Sequence, residues 1–251
     1  MEPIQRGNIR LAATLLLLRD NESGPEVFMV KRPIGVVFPD LHVFPGGKVD
    51  DGDHLEPGFA DIDDHQASAH LGVGAGGLRY WVAAIRECFE ECGVLLAKRA
   101  GCLLDFDEPD ERARFAAYRA ELAANRMSMP ELCVREDLVL ACTELVYFSH
   151  WLTPPSVEKR FDTRFFVTTM PMGQHALADT DETADSDWIT PSEALARRAR
   201  NEWQMIHPTW MTLTTIRDFP DVASTLKAVA AETHLPLLTP ELNGHGMQSL
   251  R

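Results

Sequence analysis

The sequence is poor in positive charge: 24 Lys and Arg stand against 38 Asp and Glu, a formal net charge of −14 over 251 residues. A protein that binds a phosphate backbone gathers Lys and Arg against the polyanion. No basic stripe is present, so a nucleic acid partner is not expected. Long apolar runs are also missing. The longest, Leu11 to Leu18, is broken by Thr14 and falls far short of the ~20 residues of a membrane span. No membrane association and no signal-peptide pattern are expected, and the expected compartment is cytoplasmic. Cysteine is scarce and badly spaced for cross-links: Cys88, Cys92, Cys102, Cys133 and Cys142 form an odd set without a CxxC pair. That pattern argues against a disulfide framework or a structural zinc site and for buried free thiols in a reducing compartment.

What is there is ordinary globular material, 45% hydrophobic and 25% charged, enough for one substantial core. "IRLAATLLLL" (9–18) and "EVFMVKR" (26–32) read as two strands joined by a turn-rich loop. "HVFPGG" (42–47) reads as a strand end running into two glycines. Residues 51–77 carry six glycines and no steady period, and are expected to form a loop or insertion. Helical periodicity then begins, with Val82, Ile85, Phe89, Cys92 and Leu96 spaced to make one core-facing stripe. A second helix is predicted over 107–129, and strands over 145–155 and 159–170. In the latter, Phe161, Thr163, Phe165 and Val167 share one face, and Asp162, Arg164 and Phe166 the other. After a polar loop at 178–187 and a short strand at 188–190, Thr190-Pro191-Ser192-Glu193 reads as a capping box opening a helix. Helices follow around 208–218 and 221–232. Strands mixed with helices throughout give an α/β (α+β) class.

The feature that demands an explanation is "RECFEEC" (86–92). On a helix, Glu87, Glu90 and Glu91 occupy i, i+3 and i+4 and project from one face, opposite the Val82/Ile85/Phe89 stripe. Arg86 and Glu90, four apart, can pair, which leaves two carboxylates unneutralised. Either the face is simply solvated, or a divalent cation sits there, since hard Mg²⁺ prefers carboxylate oxygens, water and substrate phosphate. The preceding "FPGGK" allows close backbone approach to a ligand.

Together, "FPGGKVDDGD…RECFEECGV" resembles the box of the Nudix family, G-x5-E-x7-R-E-U-x-E-E-x-G-U with U apolar. Arg86, Glu87, Cys88, Glu90, Glu91, Gly93 and Val94 match its second half, and Gly47 its start. The first glutamate of the pattern falls on Asp53 counted forward from Gly47, and on Leu78 counted back from Arg86. Between Asp53 and Arg86 stand 32 residues where the pattern has 7, an excess of 25. The split box, with "VFPDLHVFPGG", "FSHWLTP", "KRFDTRFFV" and "DSDWITPSEAL", is similar to the branch that includes the peroxisomal coenzyme A diphosphatase. The resemblance implies a Nudix α/β/α sandwich around a mixed sheet over residues 1–200, with an insertion at about 54–78 and an added helix at about 107–129. Residues 201–251 are then a helical extension packed on the same domain, either covering the substrate or forming a homodimer contact.

The resemblance further implies a metal-dependent hydrolase of nucleoside-diphosphate-linked small molecules. Coenzyme A or an acyl-CoA is favoured over ADP-ribose, NADH or nucleotide sugars, and a Nudix-fold binding module that has lost catalysis is the rival from another class. Mg²⁺ or Mn²⁺ would be held by Glu87, Glu90, Glu91 and the Gly47 carbonyl, with Arg86 orienting Glu90 or the loop, and Asp53 as the candidate stand-in for the missing glutamate. The general base is left open between a helix glutamate, Glu90 or Glu91, and an acidic residue of the later loop, Glu182 or Asp181. Arg32, Arg160 and Arg164 are candidate phosphate ligands, since arginine suits bidentate phosphate contacts, with edge-strand salt bridges as the alternative. His42, His150 and most of Trp81, Trp151, Trp188, Trp203 and Trp210 are expected to pack rather than bind.

Overall fold

A computed structural model describes residues 9–32, 40–177, 185–232, 235–243 and 246–249. Its strands are β1 (Ile9–Asn21), β2 (Gly24–Lys31), β3 (His42–Val43), β4 (Gly46–Lys48), β5 (Ala97–Arg99), β6 (Cys102–Leu103), β7 (Val139–Leu140), β8 (Val146–Leu152), β9 (Arg160–Thr169), β10 (Asp185–Ile189), β11 (Leu237–Leu238), β12 (Pro240–Asn243) and β13 (Gly246–Ser249). Its helices are α1 (Asp64–Leu71), α2 (Leu78–Cys92), α3 (Pro109–Ala123), α4 (Met129–Glu136), α5 (Pro191–Ala199), α6 (His207–Ile216) and α7 (Val222–Ala231).

The main sheet is mixed, in the order β10–β2–β1–β9–β8–β11, with β3 added to β2 and β4 to β1. β1 is central, antiparallel to β2 and parallel to β9. Its run Leu15–Leu18 is fully buried because both faces of the sheet are covered, which is why the strand reads as a continuous apolar run rather than an alternation. Leu15 and Leu17 pack with α2 on one side, and Leu16 and Leu18 with α5, α6 and α7 on the other. The result is an α/β/α sandwich.

Several expectations are corrected here. Residues 51–77 are not plain loop: they hold a short 3-10 turn at Asp51–Asp53 and helix α1, opened by a reciprocal Asp63/Gln66 capping box. The helix predicted over 107–129 is present but shorter, and a second helix that was not expected follows it. α3 ends at Ala123, and α4 starts from a second capping box, Ser128/Glu131. The stripe on α2 stops at Cys92, because Gly93 adopts φ 74° and terminates the helix; Leu96 lies beyond it. Nor is the face of α2 carrying the glutamates solvated, since Arg86 and Glu90 are each 9% exposed. Residues 185–187, expected in the polar loop, pair with β2 in β10. At α5 the Thr190 side chain accepts from Glu193 N, while the Glu193 carboxylate turns to Arg197 and Arg200 instead of completing the box. The five cysteines are free, four buried and Cys102 exposed.

The insertion is built into the core. Gly77, the residue before α2, brings no capping side chain, and a Cβ there would overlap the backbone of Ser68. The first N–H groups of α2 are capped from α1 instead: the Asp64 carboxylate accepts from Gly76 N (2.9 Å) and Leu78 N (3.0 Å), and Ser68 Oγ from Gly77 N (2.9 Å). At the other end of α1, Leu71 O accepts from Arg164 Nη1 of the sheet at 3.3 Å. Asp64→Ala is expected to lower stability by about 1 kcal/mol, the usual worth of an N-cap, and Tm by roughly 3 °C. Gly77→Ala should cost more, through the overlap with Ser68. Thermal unfolding of both variants checks this; a Gly77→Ala protein as stable as the parent would contradict the α1–α2 packing.

Candidate active site

The glycine turn is fixed by pairing with the central strand. Gly46 stands opposite Thr14, Gly47 opposite Ala13 and Lys48 opposite Ala12, and Leu15 N donates to Pro45 O at 2.9 Å. This brings the turn directly onto α2. Gly46 N donates to Glu91 Oε2 at 2.9 Å, and a Cβ at Gly47 would overlap the Glu87 carboxylate. Glycine is required at 47 by that close approach. The two halves of the split box are therefore adjacent.

Arg86 joins them. Its Nε and Nη2 donate to Asp53 Oδ1 and Oδ2 at 2.7 and 3.0 Å, a bidentate pair, and Nη2 also donates to Lys48 O at 2.8 Å. Nη1 donates to Glu87 Oε1 at 3.0 Å and Glu90 Oε2 at 3.1 Å. Asp53 is fully buried and also accepts from Asp50 N at 2.7 Å. It therefore braces both the arginine and the loop at Asp50. Burial opposes the charge on Arg86, but the Asp53, Glu87 and Glu90 carboxylates more than offset it and hold the guanidinium above its ordinary range. Arg119, which the sequence did not single out, donates from Nε to Glu90 O at 2.8 Å and satisfies a carbonyl of the last turn of α2.

Burial raises the Glu87 carboxyl above its ordinary range, with Asp53 and Asp50 adding to the effect and Arg86 opposing it. Glu91 is raised well above its ordinary range, by burial and by Glu87, against the Gly46 N–H and Arg32. Two enclosed carboxylates thus repel each other across the glycine turn. As the side chains stand, no three His, Cys, Asp or Glu among the described residues form a group that could hold a metal ion; Glu87 and Glu90 are both drawn to Arg86 Nη1. The donor chemistry nevertheless fits a hard divalent cation: carboxylate oxygens with excess negative charge beside a backbone turn without side chains.

Glu87 and Glu91 form one wall of a cavity of about 710 Å³. Around them lie Arg10, Arg32, Gly46, Gly47, Lys48 and Asp50, and further in the walls are apolar: Trp151, Val157, Phe161, Phe165, Ile206, Pro208 and Pro240. The extension beyond residue 200 supplies the last three, so it closes the cavity. Arg32 reaches the cavity as expected. Arg160 does not line it, and its Nε donates to Thr153 O at 3.0 Å. Arg164 lies on the other face of the sheet, because strand alternation sends it away from Thr163 and Phe165. It is buried against Tyr80 and Tyr147 and donates to Tyr147 Oη at 2.6 Å. The cations sequence reading missed are Arg10 and Lys48; alternation along β1 and β4 from Thr14 and Gly46 was the signal for them. Of the other candidates, His42 stacks on Trp203, His150 bonds Asp162 at 2.6 Å, and Trp81 packs in the core while Trp151 lines the cavity. Asp181 and Glu182 lie outside the described residues.

The family model for the NUDT19 Nudix domain matches residues 56–216, more than half of the chain. The chain belongs to this Nudix family. Among curated proteins, this Nudix chain is 25% identical over 212 residues to the acyl-coenzyme A diphosphatase NUDT19 of Xenopus laevis, covering 70% of the chain and 56% of that protein. To human acyl-coenzyme A diphosphatase NUDT19 it is 29% identical over 148 residues, 55% of the chain and 38% of that protein. The chain thus spans about half the length of the curated relatives it matches. A NUDIX hydrolase from Alicyclobacillus acidocaldarius has the same fold, with TM-score 0.67, 26% identity and coverage of 88% of this chain and 97% of that one. The fold is the Nudix α/β/α sandwich.

Two expected outcomes follow from the charge arrangement. Asp53→Asn leaves Arg86 buried with its bidentate partner gone, and should lower the unfolding free energy by about 3 kcal/mol, measured by urea denaturation. Glu87 and Glu91 have folded pKa values above the ordinary 4.5, so between 4.5 and the raised values the native state holds protons that the unfolded chain has released. Stability from these groups is therefore lost as pH rises through that window. A divalent ion competes with those protons, so the rise in Tm on adding Mg²⁺ or Mn²⁺ should be larger at pH 8 than at pH 5.5. An equal rise at both values would contradict the site.

Proposed function

We propose that this Nudix chain is a Mg²⁺- or Mn²⁺-dependent diphosphatase that hydrolyses the diphosphate bond of a coenzyme A-type nucleotide, with an acyl-CoA favoured. The observation that carries the reading is the meeting of Gly47, Glu87 and Glu91 at one wall of a cavity whose remainder is largely apolar, with the buried Arg86–Asp53 pair bracing Glu87 from behind. The names of the NUDT19 relatives support the choice of substrate. The apolar walls, Trp151, Phe161 and Phe165 with Ile206 and Pro208, suit an acyl-pantetheine arm better than the second sugar of ADP-ribose or a nucleotide sugar.

Glu87, Glu90 and Glu91, with the Gly47 carbonyl, are the residues that would hold the metal. When bound, such an ion supplies polarisation of phosphoryl oxygens and a more acidic water. Arg86 fixes the rotamers of Glu87 and Glu90 by donating one Nη1 to both, and Asp53 fixes Arg86 in turn. Arg32, at the cavity and close enough to Glu91 to lower its pKa, is placed to take a phosphate oxygen. Glu91 takes its hydrogen bond from Gly46 N rather than from Arg86. We assign it as the acceptor of the proton from the attacking water, a role that needs a carboxylate within reach of that water. The bidentate pairing of Asp53 with Arg86 supports a catalytic reading over a binding module that has lost catalysis.

The test is a panel assay with Mg²⁺ and identification of the phosphate products. Acyl-CoA should give adenosine 3′,5′-bisphosphate and acyl-phosphopantetheine. Glu91→Gln should lower kcat by more than about 100-fold, the upper range for loss of a mere outer-shell partner, with the fold retained by circular dichroism. Cleavage of ADP-ribose without cleavage of any CoA ester would remove the favoured substrate. Full activity in Glu91→Gln would remove the assigned role.

A further inference from the structure

The cavity lining holds three cations, Arg10, Arg32 and Lys48, against three carboxylates, Asp50, Glu87 and Glu91. The chain is strongly acidic, and its arginines are mostly engaged: Arg86, Arg99, Arg114, Arg126, Arg197 and Arg200 all hold carboxylates. Arg10 and Lys48 differ. Both line the cavity, and neither side chain has a hydrogen-bond or ion-pair partner among the described residues. The one carboxylate near them in the lining that is not a proposed metal ligand, Asp50, lies 3.7 Å from Arg86.

Strand register places these cations relative to the glutamates. Gly46, bonded to Glu91, stands opposite Thr14, and Lys48 stands opposite Ala12 on the same face. Arg10 is two residues further along that face of β1 and opposite Phe161 of β9. At the rise of a strand, Lys48 lies about 7 Å and Arg10 about 13 Å from the level of Gly46. Two unneutralised cations on one side of the cavity, displaced from the carboxylate cluster by roughly the span of a ribose with its substituents, make a second anion subsite.

We infer that Arg10 and Lys48 bind a phosphomonoester on the ribose of the substrate, separate from the diphosphate held beside Glu87 and Glu91. The inference rests on the proposed diphosphatase activity and names the part of the substrate that these two cations would recognise. A planar guanidinium and an ammonium converging on one phosphate give charge-assisted hydrogen bonds. In a chain of net charge −14, local cations also offset the repulsion that an anionic substrate meets on approach. Such a site serves a 3′-phosphate, as in coenzyme A, or a 2′-phosphate, as in NADPH, and gives nothing to ADP-ribose, NADH or nucleotide sugars.

The experiment measures kcat/KM with Mg²⁺ for two matched pairs, coenzyme A against 3′-dephospho-coenzyme A and NADPH against NADH. It compares the parent chain, Lys48→Gln and the Arg10→Gln/Lys48→Gln double variant. Both residues are exposed, so the substitutions leave the core intact. The parent should prefer the phosphorylated member of one pair by about tenfold or more, and the pair that shows the preference identifies the 3′ or 2′ position. In the double variant that ratio should fall to within about twofold, through a rise in KM for the phosphorylated member rather than a fall in kcat. A parent ratio near one, or a ratio that survives in the double variant, overturns the subsite while leaving the diphosphatase reading intact. Absence of turnover with all four compounds overturns that reading and the subsite with it.

Discussion

The buried pair between Arg86 and Asp53 is the interaction on which the rest of the site depends. The two residues are 33 positions apart and joined by two hydrogen bonds, and the same guanidinium holds Glu87, Glu90 and the Lys48 carbonyl. An isolated guanidinium or carboxylate in that position would carry an uncompensated desolvation cost of several kcal/mol. Paired, they fix the strand-turn, the 3-10 turn and α2 relative to one another. Asp53 is shorter than the glutamate of the family pattern, and the 3-10 turn at Asp51–Asp53 brings it in close enough to pair with Arg86.

A long interruption is tolerated between the two halves because loop closure grows only slowly more costly with length, and because the interrupting residues fold. α1 supplies the capping groups that Gly77 cannot, and Gly77 must be glycine for α1 to come so close. Arg164, rather than facing substrate, anchors the end of α1 to the sheet. The insertion is thereby part of the scaffold that holds α2, with the cavity on the opposite face of the sheet.

That opposite face is completed by the extension beyond residue 200. α6 lends Pro208 and the residue before it, Ile206, to the cavity wall, and β11 pairs with β8 at the sheet edge. The same apolar layer that stabilises the sheet therefore also shapes the apolar end of the cavity. A polar end made by the glycine turn and α2 and an apolar end made by β8, β9 and the extension meet in one cavity.

The chemistry was legible in the sequence because the spacing of Arg86, Glu87, Glu90, Glu91 and Gly93 is set within one helix and its cap, where 3.6 residues per turn fixes which side chains are neighbours. The central strand was legible for a similar local reason, as four consecutive leucines suit burial on two faces. What only the tertiary structure decided are the relations across chain separation. These are Asp53 pairing with Arg86, Arg164 facing away from the cavity while Arg10 and Lys48 face into it, and the insertion capping α2. Local periodicity says which residues share a face of an element, but which face meets the cavity is set by the packing of layers, and no stretch of sequence contains both partners of that contact.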